Sequence, residues 1–155
     1  MRRKFGQRRH ADTPLAKAIA KLDAVLSVLV RTHYIEIGCF TCGRQMREIT
    51  EGDCGHFRRR ECMSTRFDVR NLGLQCKKCN RFAGGRPYEF GLKLDEIWGN
   101  GTARQMFDES RRIKRWEVGE LEQLTSAAKI GWLAYAHLYA ALSTASRRVS
   151  ASDET

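Results

Sequence analysis

Four cysteines in two closely spaced pairs carry the most specific chemistry in this sequence. The first pair is Cys39 and Cys42, and the second is Cys76 and Cys79. Two Cys-x-x-Cys pairs a few tens of residues apart are typical of a four-thiolate zinc site, because each pair presents two sulfur atoms to one side of a tetrahedral ion. We therefore predict a structural Zn²⁺ that pins the two ends of this segment together. The segment between the pairs should depend on that metal for its folding.

Polar residues between and just after the cysteine pairs have the chemistry of a second, catalytic metal site. Asp53 and Asn80 offer hard oxygen atoms, which suit Mg²⁺ or Mn²⁺ better than thiolates do. His56 titrates near neutral pH and can take a proton from water. Asn71 is expected to hydrogen-bond across the intervening loop and orient the strand that carries His56. A base, a cation and groups that hold the backbone are what phosphodiester hydrolysis requires, so we predict that these four residues form a catalytic site.

The balance of charge favours a polyanionic partner. The chain has a formal net charge of +10, and arginine and lysine are dense between Phe57 and Arg86, beside the predicted catalytic residues. Arginine forks suit phosphate groups, so we predict that this cluster contacts the DNA backbone with weak sequence preference. The predicted DNA-binding residues are Arg58, Arg59, Arg60, Arg66, Arg70, Lys77, Lys78 and Arg81.

The sequence gives no indication of a membrane partner. No run approaches the roughly 20 apolar residues of a spanning helix, and the basic start lacks the apolar core of a signal peptide. We therefore expect a cytoplasmic protein, where cysteines serve as metal ligands or free thiols rather than disulfides. Cys54 and Cys62 are interpreted as small buried residues. His33 and His137 have no partner at ligand spacing and are interpreted as helix-end or core residues.

The periodicity predicts an α+β, mostly helical protein, in which a zinc module is flanked by helices. Thr13-Pro14 is typical of an N-cap followed by the first helical residue. Stripes of residues at spacings of three and four follow in the first and last helices, and each predicts burial within the chain or a contact with a second copy. The first stripe is Leu15, Ile19, Leu22, Leu26, Leu29 and His33, and the second is Leu121, Leu124, Ala128, Trp132, Tyr135, Tyr139 and Leu142. The predicted organisation has five segments: a basic disordered arm (1–12), a helix (13–35), the zinc module (36–87), a helical region (88–142) and a disordered tail (143–155). Within the zinc module we predict strands at 47–57 and 70–75 and a helix at 77–83. Within the helical region we predict helices at 88–98, 102–114 and 116–142.

These motifs resemble those of the HNH (ββα-metal) nuclease superfamily, with His56, Asn71 and Asn80 at its three signature positions. The run from Cys39-Phe-Thr-Cys-Gly43 through Gly55-His56-Phe57 and Arg70-Asn71 to Gln75-Cys76-Lys-Lys-Cys79-Asn80 more closely resembles the lambdoid phage NinG/Rap family. The similarity covers roughly residues 36–142. The pairs Asp53-x-x-His56 and Cys79-Asn80 are also similar to the metal site of the endonuclease VII type of phage resolvase.

The resemblance implies a treble-clef, HNH-like ββα module and an endonuclease that cuts Holliday junctions and other branched DNA during phage recombination. It implies that Asp53 and Asn80 bind the catalytic ion and that His56 activates water, leaving 5′-phosphate and 3′-hydroxyl ends. The location implied is the cytoplasm of a phage-infected or lysogenic bacterium. Symmetric cutting of two strands needs two sites related by a two-fold axis, so a homodimer is expected, with recombination proteins as further partners.

Two other functions remain open from the sequence. One is a general HNH nicking endonuclease that acts on ordinary duplex DNA. The other is a noncatalytic zinc-finger protein that only binds DNA.

Overall fold

The computed structural model describes residues 12–152, with side chains described as far as residue 143. The predicted basic arm therefore lies outside the described residues except for Asp12, as do residues 153–155 of the predicted tail. The chain divides into two compact units. Of the described residues, one unit contains 12–26 and 116–152, and the other contains Ser27–Arg115. The protein is α+β and mostly helical, with a single two-stranded sheet among the described residues.

Helix α1 covers Pro14–His33 and begins where the sequence predicts. The hydroxyl of Thr13 accepts the backbone N–H of Ala16 at 3.1 Å, which satisfies one of the N–H groups left unpaired at a helix start. The buried face differs in detail from the predicted stripe. It follows every fourth residue, Ala18, Leu22, Leu26 and Val30, whereas Leu15, Leu29 and His33 of the predicted stripe are exposed or half-buried.

The C-terminal part contains two helices where the sequence predicts one long helix over 116–142. Helices α4 (Val118–Ile130) and α5 (Trp132–Ser152) are separated by Gly131, whose φ of 149° is a conformation that favours glycine. The backbone of α5 continues past Ser143, where the sequence predicts a disordered tail. No proline or glycine follows Gly131 to interrupt the helix. The predicted stripe is buried at Leu121, Leu124 and Ala128 in α4 and at Tyr135 and Tyr139 in α5.

The other unit is built around an antiparallel hairpin. Strand β1 is Gly52–His56 and strand β2 is Leu72–Cys76, with Gly52 opposite Cys76 and His56 opposite Leu72. Both strands are shorter than predicted, because a 3₁₀ turn at Ile49–Glu51 precedes β1 and another at Val69–Asn71 precedes β2. A five-residue π-helical segment, Lys78–Phe82, follows β2 directly, where the sequence predicts a helix.

Two further helices complete this unit. Helix α2 covers Pro87–Trp98 and α3 covers Thr102–Glu109. The sequence predicts that α3 extends to about Lys114, but the chain turns after Glu109, and the N–H of Arg112 bonds to the Glu109 carbonyl at 3.0 Å. The core contains the buried side chains Tyr34, Phe40, Phe67, Leu72, Leu74, Phe90, Leu94 and Met106.

Among residues 12–152, the helices are all too short or too polar to cross a bilayer.

Candidate metal centre and catalytic site

The four predicted zinc ligands meet at one point. The Sγ atoms of Cys39, Cys42, Cys76 and Cys79 all lie within 4.8 Å of one another, and those of Cys42 and Cys76 are 3.8 Å apart. Zn–S bonds of about 2.3 Å in a tetrahedron place sulfur atoms about 3.8 Å apart, so the cluster has the size and the donor set for Zn²⁺. Three of the four cysteines are buried, and Cys42 is exposed. The prediction of a four-cysteine metal site is confirmed at the level of geometry.

The thiols of the cluster are not equivalent. Desolvation of its sulfur, together with the neighbouring thiols of Cys39 and Cys79, raises the pKa of Cys42 to about 12, although the residue as a whole is exposed, and burial raises the pKa of Cys76. Burial acts in the same direction on Cys39, but hydrogen bonds from Thr41 and from the Cys76 backbone N–H outweigh it and lower the pKa to about 6. A divalent cation stabilises the thiolate at every position, so metal binding and proton release are coupled at this cluster.

The first cysteine pair is attached to the hairpin by a backbone hydrogen bond and by packing of Phe40, in addition to the contacts among the four thiols. The N–H of Phe40 donates to the carbonyl of Leu74 at 2.8 Å, which adds the Cys39 segment to the edge of β2. The Phe40 ring lies directly over Gly73, and a Cβ atom at Gly73 would come within 2.3 Å of it. Glycine at this position therefore lets the aromatic ring cover the hairpin. Gly43 closes the first pair in a left-handed conformation, with φ of 70°.

Asp53 and Asn80 are brought together, although 27 residues separate them. The side-chain N–H of Asn80 donates to Asp53 Oδ2 at 3.1 Å. Arg81 binds the same carboxylate with two N–H groups, at 2.7 Å to Oδ2 and 2.8 Å to Oδ1. The Arg81 guanidinium is the main reason that the pKa of the Asp53 carboxyl lies below its usual range. Because Asn80 and Arg81 follow Cys79 directly, the cysteine cluster fixes the position of both.

His56 and Asp53 lie on opposite faces of β1, since side chains alternate along a strand. Asp53 shares its face with Gly55, where a Cβ atom would come within 2.3 Å of the Gln75 side chain. Gln75 is buried and donates to the Gly85 carbonyl at 2.8 Å and to Thr41 Oγ1 at 3.3 Å. It therefore connects β2 to the first cysteine pair and to the turn before α2. No motif in the sequence signals this role of Gln75.

Asn71 is fully buried and ties down the loop that follows His56. Its Oδ1 accepts the backbone N–H of Arg58 at 2.6 Å. Its Nδ2 donates to the carbonyls of Arg58 at 3.1 Å and Thr65 at 2.9 Å. The Phe57 N–H donates to the Asn71 carbonyl at 2.9 Å, so the loop is held to β2 from the first residue after β1. Asn71 thus orients the segment around His56 through hydrogen bonds to backbone.

The cations predicted to bind DNA differ in their surroundings. Arg70 binds the buried carboxylate of Asp68 at 2.7 Å and Glu109 at 3.3 Å, so its charge is compensated inside the unit. Arg66 donates to the carbonyl of Arg60 at 3.0 Å. Arg81 is bound to Asp53, as described above. The exposed residues of the set are Arg59, Arg60, Lys77, Lys78 and Arg81.

The sequence of the chain matches a known protein family. A family model described as "Bacteriophage Lambda NinG protein" matches residues 1–133. Protein ninG of Salmonella phage P22 is 25% identical over 118 residues, which cover 76% of this chain and 57% of that protein. The chain thus spans just over half the length of this curated relative. No solved structure matches the chain.

Proposed function

The chain belongs to the bacteriophage NinG family, and from this premise we propose that it is a metal-dependent DNA endonuclease that cuts branched DNA during phage recombination. One observation carries the proposal. A carboxylate and a carboxamide from distant parts of the chain, Asp53 and Asn80, touch at 3.1 Å beside the four-cysteine cluster. This pair of oxygen-bearing side chains is the kind of donor set that a hard divalent cation selects.

Mg²⁺ or Mn²⁺ fits these residues on two conditions. The Asp53 carboxylate is bound by Arg81 on both oxygens, so a cation there has to displace an exposed guanidinium. The Asn80 amide has to turn its oxygen toward the ion, a rotation that exchanges two ends of nearly equal shape. A bound divalent ion would stabilise negative charge on the phosphate and on the leaving oxygen.

Other residues of the chain supply the general base, its positioning and the contacts to DNA. His56, at the end of β1, takes a proton from the attacking water, and for this its ring has to reach around the end of the strand, because its side chain starts on the face opposite Asp53. Asn71 holds the Arg58–Thr65 loop and so sets the position of His56 relative to the DNA. Phosphates are contacted by exposed cations in the loop after His56 and just before Asn80, namely Arg59, Arg60, Lys77 and Lys78. The chain would act as a homodimer with two sites related by a two-fold axis, and recombination proteins would deliver it to junctions.

The test is cleavage of a labelled four-way junction and of a linear duplex of equal length, with Mg²⁺ or Mn²⁺ added. Wild type should cut the junction preferentially, and His56→Ala should lose on the order of 10²–10⁴ in rate while keeping its affinity for DNA. His137→Ala is the matched control, because His137 is an exposed histidine in the other unit.

Two results would replace the proposal. Equal cutting of both DNAs, abolished by His56→Ala, would indicate a general HNH nicking endonuclease. Binding without cutting under all metal conditions would indicate a noncatalytic zinc-stapled DNA-binding protein. Sedimentation of the zinc-loaded protein tests the dimer separately, and a monomer at working concentration would count against symmetric junction cutting.

A further inference from the structure

Two arginines from distant parts of the sequence meet on one aromatic ring. The guanidinium carbon of Arg58 lies 4.5 Å from the centre of the Phe107 ring, and that of Arg111 lies 4.7 Å from the same centre. Phe107 belongs to α3 and is 36% exposed. Both distances are within the range of a cation–π contact, which contributes about 0.5–1 kcal/mol at an exposed site. The two guanidinium carbons, each bound to the same ring, therefore lie at most about 9 Å apart.

Arg58 is further fixed by neutral partners. Its Nε donates to Ser110 Oγ at 3.1 Å, and that hydroxyl donates to the Phe107 carbonyl at 2.7 Å. The Arg58 backbone is held by Asn71 through both its N–H and its carbonyl. The guanidinium is thus oriented without a carboxylate, two residues beyond His56.

Three acidic groups of this region are bound to other cations. Asp68 and Glu109 bind Arg70, and Asp108 binds Arg104 at 3.0 Å. Within residues 12–143, neither Arg58 nor Arg111 forms an ion pair with a carboxylate. Two like charges about 9 Å apart repel by about 0.5 kcal/mol in bulk water, and a phosphate that contacts both would offset that cost. The exposed Arg112 and Arg115 extend the same positive surface.

We propose that Arg58 and Arg111, held on Phe107, form a phosphate-binding site for the DNA backbone that extends the DNA interface from the zinc module to the segment after α3. This inference rests on the proposed function. The planar guanidinium groups suit phosphate oxygens, and the ring lowers the entropy lost when they bind. Since Arg58 follows His56 by two residues, spanning at most about 7 Å of backbone, the phosphate bound here flanks the one that His56 addresses.

The experiment measures the affinity of the full-length, zinc-loaded protein for a fluorescent four-way junction across a series of salt concentrations without divalent metal. Arg111→Gln should reduce the slope of log affinity against log salt by about one, and Arg58→Gln with Arg111→Gln by about two. Phe107→Leu keeps both charges, so it should weaken binding while changing the slope little. Arg104→Gln is the control, because Arg104 is an exposed arginine on the same helix already paired with Asp108, and it should leave the slope unchanged.

Arg111→Gln decides the outcome even if Arg58→Gln disturbs the loop, since Arg111 is exposed and outside the regular elements. A slope for Arg111→Gln equal to that of wild type and Arg104→Gln would overturn the inference. That result would leave the proposed function intact, provided that wild type still binds and cuts DNA. Absence of DNA binding by wild type would instead overturn both.

Discussion

Replacing Asn71 with alanine should destabilise the zinc module strongly, because this side chain is fully buried and makes three hydrogen bonds to backbone. The substitution leaves the N–H and carbonyl of Arg58 without these partners, whereas the Thr65 carbonyl keeps the N–H of Asp68. Each net hydrogen bond contributes about 1 kcal/mol, and a buried group left unpaired costs about 1–3 kcal/mol. We therefore expect a loss of about 2–4 kcal/mol in the free energy of unfolding.

The assay is thermal unfolding of the zinc-loaded protein followed by circular dichroism, with Asn80→Ala as the matched control. A chain of this size loses about 2–4 °C in Tm for each kcal/mol, so Asn71→Ala should lower Tm by about 10 °C. Asn80 is half-buried, and within residues 12–143 its side chain makes one hydrogen bond, to Asp53, so Asn80→Ala should cost less than about 1 kcal/mol. Asn71→Asp should also destabilise, because it turns a carboxylate toward two carbonyls.

The reasoning would be refuted by an Asn71→Ala protein whose Tm lies within about 2 °C of wild type, since 2–4 kcal/mol predicts a larger shift. If that protein nevertheless lost nuclease activity, Asn71 would act directly on the reacting groups. If it lost both stability and activity, while Asn80→Ala lost activity alone, the two asparagines would have the separate roles that their contacts indicate.

Two further predictions concern the metal cluster and the acidic residue beside it. Cys76→Ser should abolish binding of one Zn²⁺ and unfold the zinc module, with a loss on the order of 10 kcal/mol in apparent folding free energy. The control, Cys62→Ser, should retain the metal. Zinc analysis measures the bound metal, and circular dichroism measures the folding of both variants. Arg81→Gln should raise the pKa of the Asp53 carboxyl toward its usual value, as measured by ¹³C NMR titration, because Arg81 is the main cause of its lowering. The ion pair between Asp53 and Arg81 stabilises the fold fully at a pH above the pKa of Asp53 in the unfolded chain. This stabilisation is lost as the pH falls through the lower pKa of Asp53 in the folded chain. Wild type and Arg81→Gln should therefore have the same free energy of unfolding in acid.

Local chemistry accounts for the features that the sequence predicted well. Zinc coordination fixes which cysteines must meet, so the cluster follows from Cys39, Cys42, Cys76 and Cys79 without knowledge of the fold. The start of α1 follows from Thr13-Pro14 for a similar reason, since capping involves residues only three apart. The family was also recognised from the motifs around these cysteines, and the family model confirms it.

Features that depend on distant residues were not predictable in the same way. The ion pairs of Arg70, which is predicted to contact DNA, could not be read from the sequence, because one partner, Glu109, is 39 residues away. The break at Gly131 was missed because one glycine does not interrupt a stripe of apolar spacings. The phosphate site proposed at Arg58 and Arg111 needed the packing of α3, although the basic run at 111–115 was a visible signal.

Arg81 connects the parts of the candidate site, because the same guanidinium that binds Asp53 was predicted from the sequence to contact DNA. A carboxylate held by a guanidinium is a poor ligand for a cation, whereas a phosphate nearby competes for that guanidinium. The proposed function therefore requires that DNA and the divalent ion favour each other's binding, and this coupling must be reciprocal.

Wild type should bind Mn²⁺ more tightly with junction DNA present than without it. Arg81→Gln should bind Mn²⁺ more tightly than wild type in the absence of DNA and should gain less when DNA is added. Equal Mn²⁺ affinity for both proteins, with and without DNA, would mean that Asp53 is a structural partner of Arg81 and does not hold the catalytic ion.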